Sequence, residues 1–145
     1  MLAWHASLFP TGRSGMVKIR VGAWRDDSSG PMQVVSGAFG KERVHYVAPA
    51  AKHLNAEMRA FLDWFNDEVD IDPVLKAGLA HLWFVTIHPF DDGNGRIARA
   101  VSIHAFGEKY APGIPGGKRL SAREAPGLPV TAVGLGMSRS GDDSR

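Results

Sequence analysis

The side chains best suited to chemistry in this 145-residue chain lie in one short stretch, His88–Arg99 (the site segment). The site segment contains an imidazole, two adjacent carboxylates, a Gly-Asn-Gly sequence and two arginines. Groups of these types can hold a metal-bound polyphosphate and activate a hydroxyl that attacks it. We therefore interpret the segment as the site of a nucleotide-dependent transferase.

His88 is the candidate base. Pro89 disfavours a helical conformation in the residue before it, so we expect the preceding helix to end near His88 and the imidazole to face a loop. The pKa of an unperturbed histidine is about 6.5, which allows the ring to accept a proton from a hydroxyl at neutral pH. Position and chemistry together favour general-base catalysis.

The adjacent pair Asp91 and Asp92 supplies the candidate metal ligand. In a locally extended chain two successive side chains point to opposite sides, so only one of the two carboxylates needs to face the site. One carboxylate combined with phosphate oxygens and water is a common way to hold Mg²⁺. Because the chain contains no cysteine, a metal here must be bound by oxygen or imidazole.

Gly93-Asn94-Gly95 and the two arginines form a candidate anion site. Glycine permits backbone conformations in which successive N–H groups curl around an anion, and the helix expected to start here adds its N-terminal dipole. Arg96 and Arg99, three residues apart, would share one helix face and grip phosphate oxygens. A Gly-rich loop or an arginine pair alone is weak support, whereas their order within one loop-to-helix junction favours a functional site.

The surrounding periodicity predicts a mainly α protein whose elements position the site segment. Apolar residues at helical spacing indicate helices over Leu2–Phe9, Ala50–Glu68, Val74–Ile87 and Ile97–Phe106. Alternating apolar and polar residues predict a strand over Met16–Trp24. The β-prone runs Met32–Ser36 and Arg43–Val47 predict a hairpin.

The predicted helix Val74–Ile87 leads directly into the site segment. Asp72 is its expected N-cap, and Pro73 is its first-turn proline. Apolar residues lie on nearly every side of this helix, which predicts a position in the middle of the core. Beyond the helix, we expect Phe90 to turn inward and anchor the loop.

The composition limits the classes of function. A hydrophobic content of 44% in a chain of this length fits one domain of modest size. A formal net charge of +2 without a patterned basic face gives no reason to expect nucleic-acid binding. No apolar run is long enough to cross a membrane, and the N-terminus lacks the residue order of a secretory signal. We therefore expect a cytoplasmic protein with no membrane partner.

The sequence changes character after Phe106. Proline and glycine are interleaved from there to the C-terminus without an apolar period, which is typical of a disordered or loosely attached segment. We therefore divide the chain into a domain over residues 1–106 and a Gly/Pro-rich tail over residues 107–145.

The site segment resembles the signature of the Fic (Fido) domain family, which can be written H-P-F-x-(D/E)-G-N-G-R-x-x-R. Every specified position is filled, from His88 through Arg96 to Arg99. The resemblance covers about residues 1–100, including the hairpin and the two helices before the signature. It implies a Fic-like helical core with a β-hairpin flap. It also implies a protein adenylyltransferase, which transfers AMP from ATP to a Ser, Thr or Tyr hydroxyl of a target protein.

The resemblance implies a role for each residue of the signature. His88 would be the general base that deprotonates the target hydroxyl, and Asp92 would hold the Mg²⁺ that bridges the phosphates of ATP. The residues implied to bind phosphate oxygens are Gly93, Asn94, Gly95, Arg96 and Arg99. The hairpin Gly37–Pro49 would take up the target protein by strand addition.

Departures from the family pattern leave other functions open. The chain lacks the inhibitory pattern (S/T)-x-x-x-E-(G/N), and its apolar periodicity fails soon after Ala100, where the family continues with further helices. We therefore expect a truncated member with low or no activity, and a regulatory segment upstream is compatible with the sequence. The alternatives are a catalytically impaired fragment that binds nucleotide or protein, and a Fic enzyme that removes AMP or transfers another phosphate ester. A relative that transfers the γ-phosphate carries Lys where Gly95 stands, so the glycine favours nucleotidyl transfer.

Overall fold

The computed structural model describes residues 1–38, 40–67, 70–110 and 120–122. Its helices are α1 (Leu2–Leu8), α2 (Leu54–Asn66), α3 (Pro73–Ile87) and α4 (Asn94–Tyr110), and a 3-10 turn over Ala51–His53 precedes α2. Its strands form two antiparallel pairs, β1 (Arg13–Ser14) with β2 (Val17–Lys18) and β3 (Gln33–Ser36) with β4 (Arg43–Val47). The predicted mainly α fold with a β-hairpin is confirmed.

The core forms where α2, α3 and α4 meet. The predicted apolar stripe of α2 is buried at Leu54, Met58, Phe61 and Phe65. The ring of Phe61 lies 5.7 Å from the ring of Trp83 and 5.8 Å from that of Phe84, both on α3. Burial of a side chain of this size contributes roughly 1.5–3 kcal/mol. The α2–α3 contact therefore holds in place the helix that leads to the site segment.

Helix α3 is capped as predicted, but only one of its faces is buried. The Asp72 carboxylate accepts the N–H groups of Val74 and Leu75 at 2.9 and 3.2 Å. The buried residues of α3 are Ala77, Ala80, Phe84 and Ile87. Leu75, Leu79 and Leu82 stay exposed, because α3 contacts α2 and α4 on one side and no other described element covers the opposite face. The prediction of a helix buried on nearly every side is wrong.

The strand predicted over Met16–Trp24 is also wrong for most of its length. Only β2 forms, paired with β1 in a short hairpin. Beyond β2 the main-chain N–H groups bond to side chains instead of to a neighbouring strand. Arg20 donates to the Asp91 carboxylate, and Gly22 donates to the ring of His5. The φ of Gly22 is 66°, outside the range of strand backbone.

The hairpin predicted from the two β-prone runs is confirmed. β3 and β4 pair antiparallel, with Gln33 opposite Val47 and an irregular register in the middle of the ladder. The hydroxyl of Tyr46 on β4 donates to the carbonyl of Thr86 at 2.9 Å. This hydrogen bond ties the hairpin to the last turn of α3, next to the site segment.

The helix predicted over Ile97–Phe106 begins earlier and extends further than expected. It starts at Asn94 and reaches Tyr110, with a break at Gly107, where φ is 49°. No helix in the described part of the chain is long and apolar enough to cross a membrane.

Three residues of the predicted tail, 120–122, contact the core. Leu120 is buried, and its N–H and carbonyl bond to the side-chain amide of Asn66 at 2.6 and 2.8 Å. An apolar side chain and a paired backbone hold this short stretch in place. Residues 107–110 of the segment predicted to be disordered belong to α4, so the prediction is wrong there, and residues 111–119 and 123–145 lie outside the described residues.

Candidate active site

The site segment forms the junction between α3 and α4. His88 follows the last residue of α3, and α4 begins at Asn94. Three other parts of the chain contact the junction, namely α1, β1 and the loop after β2. The structure therefore places the predicted site residues at one helix-to-helix junction, with contacts from the first 25 residues of the chain around it.

His88 caps α3 in the left-handed conformation, with φ 50° and ψ 58°. Its N–H donates to the carbonyl of Phe84 at 3.1 Å, which confirms the predicted helix end. The ring Nδ1 lies 3.2 Å from the carbonyl of Val85, and because a carbonyl only accepts, Nδ1 carries the proton. Nε2 of the neutral ring therefore keeps a free lone pair. Burial lowers the pKa of His88 below its usual value, so the ring is neutral at pH 7.

The Asp92 carboxylate is held by a hydroxyl and an amide. Its Oδ2 accepts a short hydrogen bond from the Ser14 hydroxyl on β1, and its Oδ1 accepts the N–H of Gly93 at 2.5 Å. The Ser14 hydroxyl is the main cause of a pKa for Asp92 below its usual value, and the Gly93 N–H adds to it. An ionised carboxylate of this kind suits Mg²⁺. Among the described residues, no group of three or more His, Asp or Glu side chains is placed so that it could hold a metal ion.

The neighbouring carboxylate, Asp91, has a different partner. Its Oδ2 accepts the N–H of Arg20 at 2.8 Å, which fixes the loop after β2. The two successive carboxylates thus bond to different segments of the chain. That only one of them serves the site stays a prediction.

Asn94 is buried and shapes the junction through its side chain. The amide Oδ1 accepts the N–H of Phe90 at 2.9 Å, and Nδ2 donates to the carbonyl of Phe90 at 2.8 Å. Both ends of the amide are therefore used within the protein, and only the main-chain N–H of Asn94 is left to face an anion. Phe90 is fully buried, as predicted for the anchor of the loop.

The two glycines of the junction meet different constraints. Gly93 has a φ of 81°, and a Cβ at this position would lie 2.8 Å from Cε2 of Phe9. Backbone conformation and space both exclude a side chain there. Gly95 has no such restriction, since a Cβ would meet only Nη1 of Arg99, at 4.0 Å. The fold therefore requires glycine at position 93 but not at position 95.

The two arginines carry charge that the described residues leave unpaired. The guanidinium carbon of Arg96 lies 4.6 Å from the centroid of the Phe9 ring, a cation–π geometry. Arg99 is exposed, beside Gly95. Neither arginine forms an ion pair within the part of the chain that the structure describes. Both guanidinium groups can therefore bind an external anion.

Two residues that hold the site were missed in the sequence, and the first is His5 on α1. Its buried ring stacks on Phe90, with centroids 4.0 Å apart and planes 3° apart. Nδ1 accepts the N–H of Gly22, so Nε2 carries the proton and donates to the carbonyl of Asp92, each at 3.1 Å. In a helix of only two turns, the spacing of apolar residues does not indicate whether a polar residue is buried, so the sequence did not predict a role for His5.

The second residue is Arg25 in the loop after β2. Its side chain is fully buried, with Nε 2.8 Å from the carbonyl of His88 and Nη1 2.8 Å from the Asp27 carboxylate. Arginine is rarely buried, and a charged run such as Arg25-Asp26-Asp27 is ordinarily solvated. Only the folded chain reveals the contact with His88.

The chain is similar to proteins of one family. A family model described as "Fic/DOC family" matches residues 1–106. A protein adenylyltransferase of Caenorhabditis elegans is 44% identical over 69 residues, which are 46% of this chain and 12% of that protein. A protein adenylyltransferase of Nematostella vectensis is 46% identical over 56 residues, which are 37% of this chain and 13% of that protein. The matched segments therefore span only a small part of these relatives' own length.

Solved structures show the same likeness. A Fic family protein from Desulfovibrio desulfuricans G20 superposes with a TM-score of 0.56 and 31% identity, over 77% of this chain and 30% of that one. A Fic domain containing signaling protein from Bacteroides thetaiotaomicron VPI-5482 gives a TM-score of 0.57 and 28% identity, over 75% of this chain and 37% of that one. Both matches cover about a third of a longer chain.

Proposed function

This chain belongs to the Fic/DOC family, and on that premise we propose that it is a protein adenylyltransferase. It would transfer AMP from ATP to a Ser, Thr or Tyr hydroxyl of a target protein. The names of its curated relatives support transferase chemistry. The observation that carries the proposal is the placement of a free imidazole lone pair, an ionised carboxylate and a helix start within one junction.

His88 would act on the target hydroxyl. As the hydroxyl oxygen bonds to the α-phosphorus, Nε2 of His88 would take its proton, and the bond from that phosphorus to the pyrophosphate oxygen would break. The hydrogen bond from Nδ1 to Val85 supports this role, because it keeps Nε2 in the accepting form. A general base of this kind contributes roughly a hundredfold to ten-thousandfold in rate.

The residues after His88 would bind the nucleotide. Asp92 would hold Mg²⁺, which when bound offsets negative charge on the phosphates. Asn94 and Gly95 would donate main-chain N–H groups to phosphate oxygens at the start of α4, and Gly93 would allow the chain to turn toward them. The outer phosphates would pair with Arg96 and Arg99, whose guanidinium groups suit bidentate contacts.

The hairpin Gly37–Pro49 would receive the target segment as an added strand. The β3–β4 pair is only two strands wide, so each strand has an edge with no partner strand among the described residues. Exposed apolar side chains on β3 and β4 support such docking, among them Val34, Val35, Val44 and Val47. Main-chain pairing of this kind leaves the target's sequence open. We also propose a cytoplasmic location and no nucleic-acid partner.

The direct test is mass spectrometry after incubation with ATP and Mg²⁺ in the presence of candidate target proteins. We expect an AMP adduct on a hydroxyl side chain, on a target or on the protein itself. His88→Ala should abolish the adduct, while the matched variant His53→Ala, at an exposed histidine, should keep it. Equal labelling by the wild type and His88→Ala would remove His88 as the base.

The second candidate is a fragment that binds nucleotide or protein without turnover, or that acts on AMP already attached to a target. Calorimetry with ATP and Mg²⁺ separates the candidates. Binding without any adduct supports the fragment, and loss of AMP from a modified substrate supports the reverse reaction.

A further inference from the structure

Among the residues that the structure describes, Arg25 alone has a side chain that bonds both to His88 and to Pro49, two residues after β4. Nε donates to the carbonyl of His88 at 2.8 Å, and Nη2 donates to the carbonyl of Pro49 at 2.5 Å. Its main-chain N–H donates to the carbonyl of Pro89 at 2.9 Å. A single residue thus links the start of the site segment to the chain just after β4.

The buried charge of Arg25 is itself held in place by Asp27. Asp27 Oδ1 pairs with Nη1 of Arg25 at 2.8 Å, and Asp27 Oδ2 accepts the N–H of Ala51 at 2.7 Å. A buried guanidinium is stable only when it is paired and its N–H groups find acceptors. Here each of the three guanidinium nitrogens has an acceptor, so the orientation of the group is fixed.

His88, whose carbonyl accepts from Arg25, has a left-handed backbone conformation. A residue with a side chain rarely adopts left-handed backbone angles, and it keeps them only where surrounding contacts require them. The carbonyl of His88 points to Arg25, and its ring bonds to Val85. The positive charge of Arg25 also contributes, after burial, to the lowered pKa of His88.

We propose that Arg25 is a positioning residue, which holds His88 in its left-handed conformation and sets the distance between the imidazole and the hairpin. The proposal rests on the proposed function, in which the hairpin presents the target hydroxyl to His88. Tyr46 provides independent support, because its hydroxyl ties β4 to Thr86, two residues before His88. β4 is therefore tied directly to the last turn of α3, and the chain just after β4 is tied to His88 through Arg25.

The first test is the substitution Arg25→Lys, which keeps the charge but cannot donate to three acceptors in a plane. We expect kcat for AMP transfer to fall by about tenfold or more, because a displaced base and acceptor react slowly. The affinity for ATP and Mg²⁺, measured by calorimetry, should be unchanged, since Arg25 does not contact the start of α4. Arg20→Met is the matched control, since Arg20 forms an exposed pair with Asp26 in the same loop.

The second test is NMR of the His88 ring, and it does not depend on activity. Arg25→Met removes the positive charge, so the pKa of His88 should rise and its ring signals should shift, whereas Arg20→Met should change neither. Asp27→Asn, a milder change, leaves the charge of Arg25 without its carboxylate partner, so it should lower the pKa of His88 and shift the ring signals in the opposite direction, which keeps the test available if Arg25→Met fails to fold.

The results separate the two proposals. A wild type that transfers no AMP overturns the proposed function, and the NMR comparison then decides the role of Arg25. A normal kcat in Arg25→Lys, equal losses of kcat and nucleotide affinity, or unaltered His88 signals in the Arg25 and Asp27 variants would each overturn the positioning role.

Discussion

The Phe9 ring lies beneath the Arg96 guanidinium, 4.6 Å from its central carbon to the ring centroid. The same ring closes the space beside Gly93, so one buried aromatic residue shapes both the turn and the arginine that follows it. Phe9 comes from the end of α1, far from the site segment in sequence. The position of Arg96 therefore depends on the packing of the N-terminal helix.

Phe9→Leu should weaken nucleotide binding. The substitution keeps an apolar side chain but removes the ring face, whose interaction with a guanidinium is worth about 0.5–1 kcal/mol. We expect the Kd for ATP and Mg²⁺ to rise about two- to fivefold in calorimetry. Phe65→Leu is the matched control, because it alters a buried ring on α2 that has no contact with Arg96. Equal losses of affinity in the two variants would show that Phe9 acts only through general packing.

Alanine substitutions at the two glycines should have opposite effects on stability. Gly93→Ala forces a Cβ against Phe9 at a φ of 81°, which should lower the free energy of unfolding by about 1–3 kcal/mol. Gly95→Ala adds a side chain to open helical backbone and should raise it by about 0.5 kcal/mol. Urea unfolding measures both values.

Gly95→Ala also separates fold from function. If the N–H of Gly95 contacts phosphate closely, the added methyl group should weaken ATP binding in a protein that is more stable than the wild type. A loss of stability comparable to that of Gly93→Ala would contradict the assignment of Gly95 to the nucleotide rather than to the fold.

The sequence predicted most accurately the features that depend on nearest neighbours. The Asp72 cap, the end of α3 before Pro89 and the buried stripe of α2 each follow from local backbone geometry or from a period of one helix turn. The order of groups in the site segment is local in the same sense. Its residues are consecutive, so the chain brings them together without help from the rest of the fold.

The sequence failed where distant segments decide the outcome. The alternation from Met16 to Trp24 indicated a strand, but its N–H groups bond to His5 and Asp91 instead. The apolar surface of α3 indicated burial on every side, yet Leu82 stays exposed because burial depends on neighbouring elements. The contacts of His5 with Asp92 and of Arg25 with His88 likewise join residues that are more than 60 positions apart in the sequence.

The rate of AMP transfer should fall in acid, and the fall should occur below the usual pKa of histidine. His88 must be neutral to accept a proton, and burial is the main cause of its lowered pKa. The rate should therefore remain full at about pH 6.5, the usual value, and decline only as the pH drops through the lower pKa. Measurement of kcat at saturating nucleotide between about pH 5 and 8 tests this.

Acid should also destabilise the fold through the same group. Between the two pKa values of His88 the unfolded chain binds more protons than the folded chain, so a falling pH lowers the free energy of unfolding. The rates must for this reason be divided by the folded fraction, taken from circular dichroism in the same buffers. A corrected rate that has already halved at or above about pH 6.5 would argue against a buried, neutral His88 as the base.

His5→Phe should loosen the site segment without removing the aromatic stack. Phenylalanine can keep the contact with Phe90, but the N–H of Gly22 and the carbonyl of Asp92 lose their partner. Such unsatisfied groups should lower the free energy of unfolding by about 1–3 kcal/mol in urea. Because the main chain at Asp92 is then less fixed, a higher Mg²⁺ concentration should be needed for half-maximal ATP binding. His53→Phe, at an exposed position, should change neither quantity, and an unaltered Mg²⁺ requirement in His5→Phe would limit the role of His5 to packing.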